Sequence, residues 1–173
     1  MATTGTDGYL NIYEIQEDQS SVSLLSKIKI CEKAVKADRA FEFGVQWLQG
    51  TAQGQETIIV SGNTCIGAVQ RGEEDGTEWA LSLEERVAHD NVISSLFAIS
   101  EEVLVTHSYD DSLIRIWRIN EEGFSCLSEI KLKKPAISME YDNRTKCLAV
   151  MDVDHQIGIF KRDFSGGASE DKS

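Results

Sequence analysis

Proline is nearly absent, one in 173 residues, and glycine numbers only thirteen. That excludes collagen-like repeats and proline-rich linkers. No apolar run approaches the roughly 20 residues a membrane-crossing helix needs. The opening MATTGTDG lacks the basic-then-apolar pattern of a signal peptide. Cysteine is sparse and scattered: Cys31, Cys65, Cys126 and Cys147 form no CxxC pair, the usual spacing of a zinc site. They read as buried free thiols in a reducing compartment, the cytoplasm or the nucleus. Neither GxGxxG nor GxxxxGKS occurs, so no phosphate-cradling loop is expected. Basic charge is in deficit, 17 lysines and arginines against 29 acids, a net −12. That balance disfavours broad adhesion to nucleic acid or to an anionic membrane. No cofactor, metal or membrane is expected.

What the chain does have is alternation. Short runs rich in β-branched and aromatic residues recur between turn residues, and no sustained helical stripe appears. The expected strands are Tyr9–Ile15, Val22–Cys31, Phe41–Leu48, Thr57–Gly62, Thr64–Val69, Trp79–Val87, Val92–Ile99, Val103–Ser108, Leu113–Ile119, Phe124–Leu132, Ala136–Tyr141, Cys147–Met151 and Gln156–Lys161. Glu32–Arg39 could form a short helix but reads better as loop. The glycine, serine and charge of residues 163–173 imply a disordered tail. The fold class is all-β.

A repeat runs through these strands. Asp111 stands six residues before Trp117, Asp7 six before Tyr13, and Asp154 six before Phe160. Asp111 and Asp154 are 43 residues apart, and VSGNTCIGAV fills a slot between the first two copies. A period of roughly 40–45 residues carrying four strands is the mark of propeller blades. In a tight turn an aspartate accepts hydrogen bonds from backbone amides, so these aspartates read as turn fasteners.

The repeat resembles the WD-repeat family, whose members are β-propellers. That resemblance implies a buried hydrogen-bonded set in each blade, made from His, Ser or Thr, Asp and Trp. His89 matches the histidine, Thr106 or Ser108 the hydroxyl, Asp110 or Asp111 the carboxylate, and Trp117 the indole. Arg118 stands where the family often has aspartate. Thr3, Asp7 and Tyr13 fit a first copy without a histidine. Asp154 and Phe160 fit the last, where Val150 replaces the hydroxyl. The second copy keeps Ser61 but has no aspartate before Val69. About four blades cover residues 1–162, beginning mid-blade. The expectation is the C-terminal part of a larger propeller, its remaining blades supplied by the same protein.

Catalysis by His89 or His107 with Asp110 and Asp111 would need these groups to converge on a cleft. His89 and one aspartate already have places in the repeat, so no catalytic residue is assigned. His107, alternating in a strand, is expected to face solvent. Charge divides by loop class. Lys27, Lys29, Lys33, Lys36 and Arg39, with Lys131, Lys133 and Lys134, fall in connectors that should gather on one face. Glu17, Asp18, Glu73, Glu74, Asp75, Glu78, Glu121 and Glu122 fall in the opposite ones. The lysine face is a candidate contact for a protein partner or for RNA.

The functional expectation is a non-catalytic scaffold that docks protein partners in a multiprotein complex. The order of the repeats is also similar to the C-terminal propeller of the WD-repeat partner of tRNA ribose 2′-O-methyltransferases. That similarity implies an alternative, an accessory subunit that positions RNA for a methyltransferase through basic loops.

Overall fold

The computed structural model describes residues 1–5, 7–16, 21–30, 43–48, 56–72 and 78–161. The helix considered for Glu32–Arg39 and the tail from 163 lie outside them, as do Lys33, Lys36 and Arg39. Every regular element among the described residues is a strand. The first sheet holds β1 (Ala2–Thr4), β2 (Tyr9–Ile15) and β3 (Val22–Lys29). The second holds β4 (Phe43–Leu48), β5 (Thr57–Gly62), β6 (Cys65–Arg71) and β7 (Trp79–Glu85). The third holds β8 (Ile93–Ala98), β9 (Val103–Ser108), β10 (Leu113–Asn120) and β11 (Gly123–Lys131). The fourth holds β12 (Ala136–Asp142), β13 (Cys147–Asp152) and β14 (Ile157–Lys161). Each sheet is an antiparallel meander, its strands paired in chain order.

The sheets are stacked face on face, and three apolar clusters lie between them. Leu10 and Ile12 of the first sheet meet Ile58, Val60, Val69 and Trp79 of the second. Ile59, Ile66 and Ala68 meet Leu104 and Trp117 of the third. Ile114 and Ile116 meet Ala136, Leu148 and Val150 of the fourth. A central strand therefore has protein on both faces. That is why TIIVSG and VLVTHS are buried along their whole length rather than alternately. Outer strands have one wet face and alternate, as in β7 and the end of β11.

Bulges fix the correspondence between sheets. The outer-strand register slips between Ile12 and Tyr13, between Ala68 and Val69, and between Ile116 and Trp117. Leu25, Ser82 and Leu127 are the extra residues opposite those rungs. A second bulge places Ser94 opposite β9 and Ile137 opposite β13. Such shared irregularities mark equivalent positions more firmly than side-chain type does.

The cysteines depart from expectation. Cys65, Cys126 and Cys147 are free, but only Cys65 is buried, and Cys31 lies outside the described residues. Cys126 is exposed on the outer strand β11, opposite Trp117.

Candidate functional site

The turns before β2, β10 and β14 share one device. The residue after each repeat aspartate is left-handed: Gly8 at φ 80°, Ser112 at 51° and His155 at 61°. Only such a residue reverses the chain this tightly, and glycine alone adopts it without strain. Asp7 Oδ1 accepts the Tyr9 N–H at 3.3 Å, and Asp111 Oδ1 accepts the Leu113 N–H at 3.2 Å. These two aspartates fasten their turns. In the fourth sheet the task moves to Asp152, whose Oδ1 accepts the Asp154 and Gln156 N–H groups at 2.9 and 3.0 Å. The reading of Asp154 as fastener is corrected accordingly. It instead pairs with the Lys134 ammonium.

Around the third sheet, His89, Thr106, Asp111 and Trp117 form one buried chain of polar groups. The loop carrying His89 is held from three sides. The His89 N–H donates to Thr64 O, the Ile93 N–H to Asn63 O, and Arg115 Nη1 to Ala88 O at 2.6 Å. An indole nitrogen can only donate, so Trp117 Nε1 gives its hydrogen to Thr106 Oγ1 at 2.8 Å. Thr106 then donates onward to His89 Nε2, also at 2.8 Å. This leaves the imidazole proton on Nδ1, facing Asp111 Oδ2 at 3.5 Å. All the dipoles point from indole to carboxylate. The histidine is neutral in this chain, and burial lowers its pKa against the opposing pull of Asp111.

Thr106 and Asp111 thus take the places that sequence left open between two residues each. Ser108 is buried but its hydroxyl has no hydrogen bond among the described residues, and Asp110 is exposed in the turn. Register locates the other copies. Thr3 of the first sheet is exposed beside half-buried Tyr13. In the second, Val60 opposite Gly67 occupies the place of Thr106 opposite Arg115, so Ser61 stands one rung away. In the fourth, Val150 stands there and Phe160 packs on the apolar cluster. No second copy of the polar chain forms among the described residues.

His107 overturns its solvent-facing expectation. It is buried, because β9 has a sheet on each face. Its Nδ1 lies 2.8 Å from Ser94 Oγ, the bulged residue of β8, and its Nε2 accepts the Ala136 N–H of the fourth sheet at 3.4 Å. Burial, and then the repulsion that protonating both His107 and His89 would create, push its pKa down to about 4. It ties two sheets together. The sequence signal was the unbroken apolar run Val103–Val105 before it, which marks a strand buried on both sides. Arg115, also unsuspected, holds the His89 loop and pairs with Glu129 at 2.6 Å.

The described lysines do lie at the sheet ends that carry the aspartate turns. Lys27 pairs with Asp7 at 3.5 Å and stands over the Tyr9 ring, while Lys131 donates to the Asp111 carbonyl. Lys29 and Lys131 occupy matching rungs opposite Tyr9 and Leu113. Each borders a cleft at a sheet junction, of about 360 Å³ beside Lys29 and about 350 Å³ beside Lys131, Lys133 and Lys134. These ends are of mixed sign. The tight turns that reach them use aspartates, so lysines and carboxylates interleave. Glu78, Glu121 and Glu122 lie at the opposite ends.

Asp111→Ala is expected to lower stability by about 1–2 kcal/mol, because it removes a turn acceptor and leaves His89 Nδ1 buried without its partner. Asp110→Ala, at an exposed position, is expected to change it by less than about 0.5 kcal/mol. Chemical denaturation of both variants measures the contrast, and equal effects would contradict the geometry.

No protein-family profile matches the chain, and no curated protein does. Solved structures do match. A protein from Lactobacillus plantarum superposes with a TM-score of 0.63 at 11% identity, covering 93% of this chain and 49% of that one. A chain in the crystal structure of the Mitotic Checkpoint Complex superposes with a TM-score of 0.66 at 13% identity, covering 93% and 46%. At such identities the likeness shows the fold alone. With its stacked meander sheets, the chain is a partial β-propeller, and it spans about half the length of the solved chains it matches.

Proposed function

We propose that this partial propeller, read as a WD-repeat scaffold, is non-catalytic and presents its turn-bearing face to protein partners in a multiprotein complex. One observation carries the reading. The ring nitrogens of both buried histidines, and the carboxylate best placed to act with them, face partners inside the fold. What reaches solvent at that face is turns and loop ends bearing interleaved lysines and carboxylates, a surface suited to polar recognition. The matched chain in the Mitotic Checkpoint Complex structure, itself part of a protein assembly, supports the same class. A second reading, an RNA-positioning accessory subunit of a tRNA 2′-O-methyltransferase, draws on Lys131, Lys133 and Lys134 around one cleft.

Affinity purification with and without ribonuclease, followed by cross-linking, separates the two. Proteins that survive ribonuclease and cross-link to the loops at 86–92 or 109–112 are the expected result. Recovery of RNA-dependent material alone would sink the scaffold reading. In that event Lys131→Glu/Lys133→Glu should weaken RNA binding at least about tenfold at low salt, and less at high salt.

A further inference from the structure

The backbone of the loop between β7 and β8 is held in place by the sheets around it. The His89 N–H donates to Thr64 O at 3.2 Å, and at the loop's exit the Ile93 N–H donates to Asn63 O at 2.7 Å. Arg115 Nη1 donates to Ala88 O at 2.6 Å, and the Thr64 hydroxyl to Arg86 O at 3.2 Å. Ala88 and His89 are fully buried, while Val87 just before them is 65% exposed. The Val87 N–H is itself taken by Glu85 Oε1 at 3.1 Å. A loop fastened on both sides of its valine cannot fold that side chain away.

The β9–β10 turn meets this loop where His89 Nδ1 faces Asp111 Oδ2 at 3.5 Å. It carries Tyr109, 43% exposed, and is closed by the Ser112 N–H on Tyr109 O at 3.3 Å. Among the described residues, Val87 and Tyr109 are the exposed large apolar side chains that loops at the turn-bearing face carry. Asp90 and Asp110, both exposed, stand next to His89 and Asp111 in the chain. No member of this group is more than two residues from the contact that joins the two loops. Both loops belong to the four-stranded second and third sheets, in the middle of the chain.

We infer that this patch docks a protein segment in which a lysine or arginine neighbours an aliphatic or aromatic residue. The inference rests on the scaffold reading and gives its partner a chemistry. Asp90 and Asp110 complement a cation, and the Tyr109 ring can take the same cation on its face. Val87 and Tyr109 supply the apolar contact, tyrosine being a common anchor of protein interfaces. Because both loops are already fixed by hydrogen bonds, docking orders little that was free. The aspartates repel a phosphate backbone, so the patch selects protein over nucleic acid.

A phage-displayed library of random dodecapeptides, panned against the full chain, supplies the probe. Enriched clones should carry a cation beside an aliphatic or aromatic side chain. Made as synthetic peptides, they should bind Asp90→Lys/Asp110→Lys about tenfold or more weakly, with a smaller loss at high salt. Val87→Ala/Tyr109→Ala should weaken them by a similar factor at either salt. All of these positions are exposed, so the melt of each variant should match the parent's. A peptide whose cation is changed to glutamate should bind the lysine variant better than it binds the parent. Clones without a cation, or indifferent to the lysine variant, overturn the proposal. If such clones still need Val87 and Tyr109, the scaffold reading stands without it. A library that yields no clone overturns the proposal as well. Displacement of the peptides by a uridine oligomer would overturn it together with the scaffold reading.

Discussion

Trp117→Ala is expected to lower the free energy of unfolding by about 3–5 kcal/mol, the largest single-residue effect foreseen in this chain. The indole is 5% exposed and lies in the cluster between the second and third sheets, against Ile59, Ile66, Ala68 and Leu104. Truncation leaves a cavity between two sheets that are each held by their own hydrogen bonds, so neither can close onto the gap. The same substitution removes the donor at the head of the polar chain. Trp117→Phe keeps most of the packing and loses only that donor, so it should cost about 1–2 kcal/mol. Urea denaturation of the two variants tests the order. A cost below about 1 kcal/mol for the alanine would show that the junction does not depend on the indole.

Acid should weaken the fold from about pH 6.5 downward. His107 titrates near 4 in the folded chain, against the ordinary 6.5 in the unfolded one. As pH falls through 6.5, the unfolded chain takes up a proton that the folded chain refuses, so the balance tips toward unfolding. The loss continues down to about pH 4, where folded His107 protonates as well and the slope ends. His107 alone contributes about 3 kcal/mol of loss over that window, and His89, also lowered, adds in the same direction. Urea midpoints measured between about pH 7 and pH 4.5 follow it. His107→Gln should reduce the dependence, and a midpoint that stays constant in the parent protein would contradict the burial of both rings.

Strand positions were legible in the sequence because alternation is local. Each run expected on turn residues and β-branched content has its counterpart, from Tyr9–Ile15 to Ile157–Lys161. Ala2–Thr4 is added as a strand too short to show a period. The members of the polar chain were legible as a group, while the choice between Thr106 and Ser108 was not. Both alternate to the same side of β9, and only the rung opposite Arg115 selects Thr106. His107 was misread because alternation distinguishes two faces but says nothing of whether the second one is wet. Asp154 was misplaced for a similar reason. Its spacing to Phe160 is right, but the β13–β14 turn begins at Asp152, and the amides lie over that carboxylate. Of the basic residues grouped from the sequence, Lys27, Lys29, Lys131, Lys133 and Lys134 lie at one end of the sheets, while Lys33, Lys36 and Arg39 lie outside the described residues. The turns beside these lysines bring aspartates to the same end, as in the Lys27–Asp7 and Lys134–Asp154 pairs.

The outer-strand bulge also governs how such a chain can change length over evolutionary time. A one-residue deletion inside a paired strand turns every side chain between the deletion and the next turn to the wrong face. Leu25, Ser82 and Leu127 are exceptions, since each is already the surplus residue of its rung. Losing one of them restores a regular ladder and leaves both flanks facing as before. Insertions and deletions among descendants of this chain should therefore collect at these three rungs and in the connecting loops. The rungs of β5 and β9 should keep a fixed residue count.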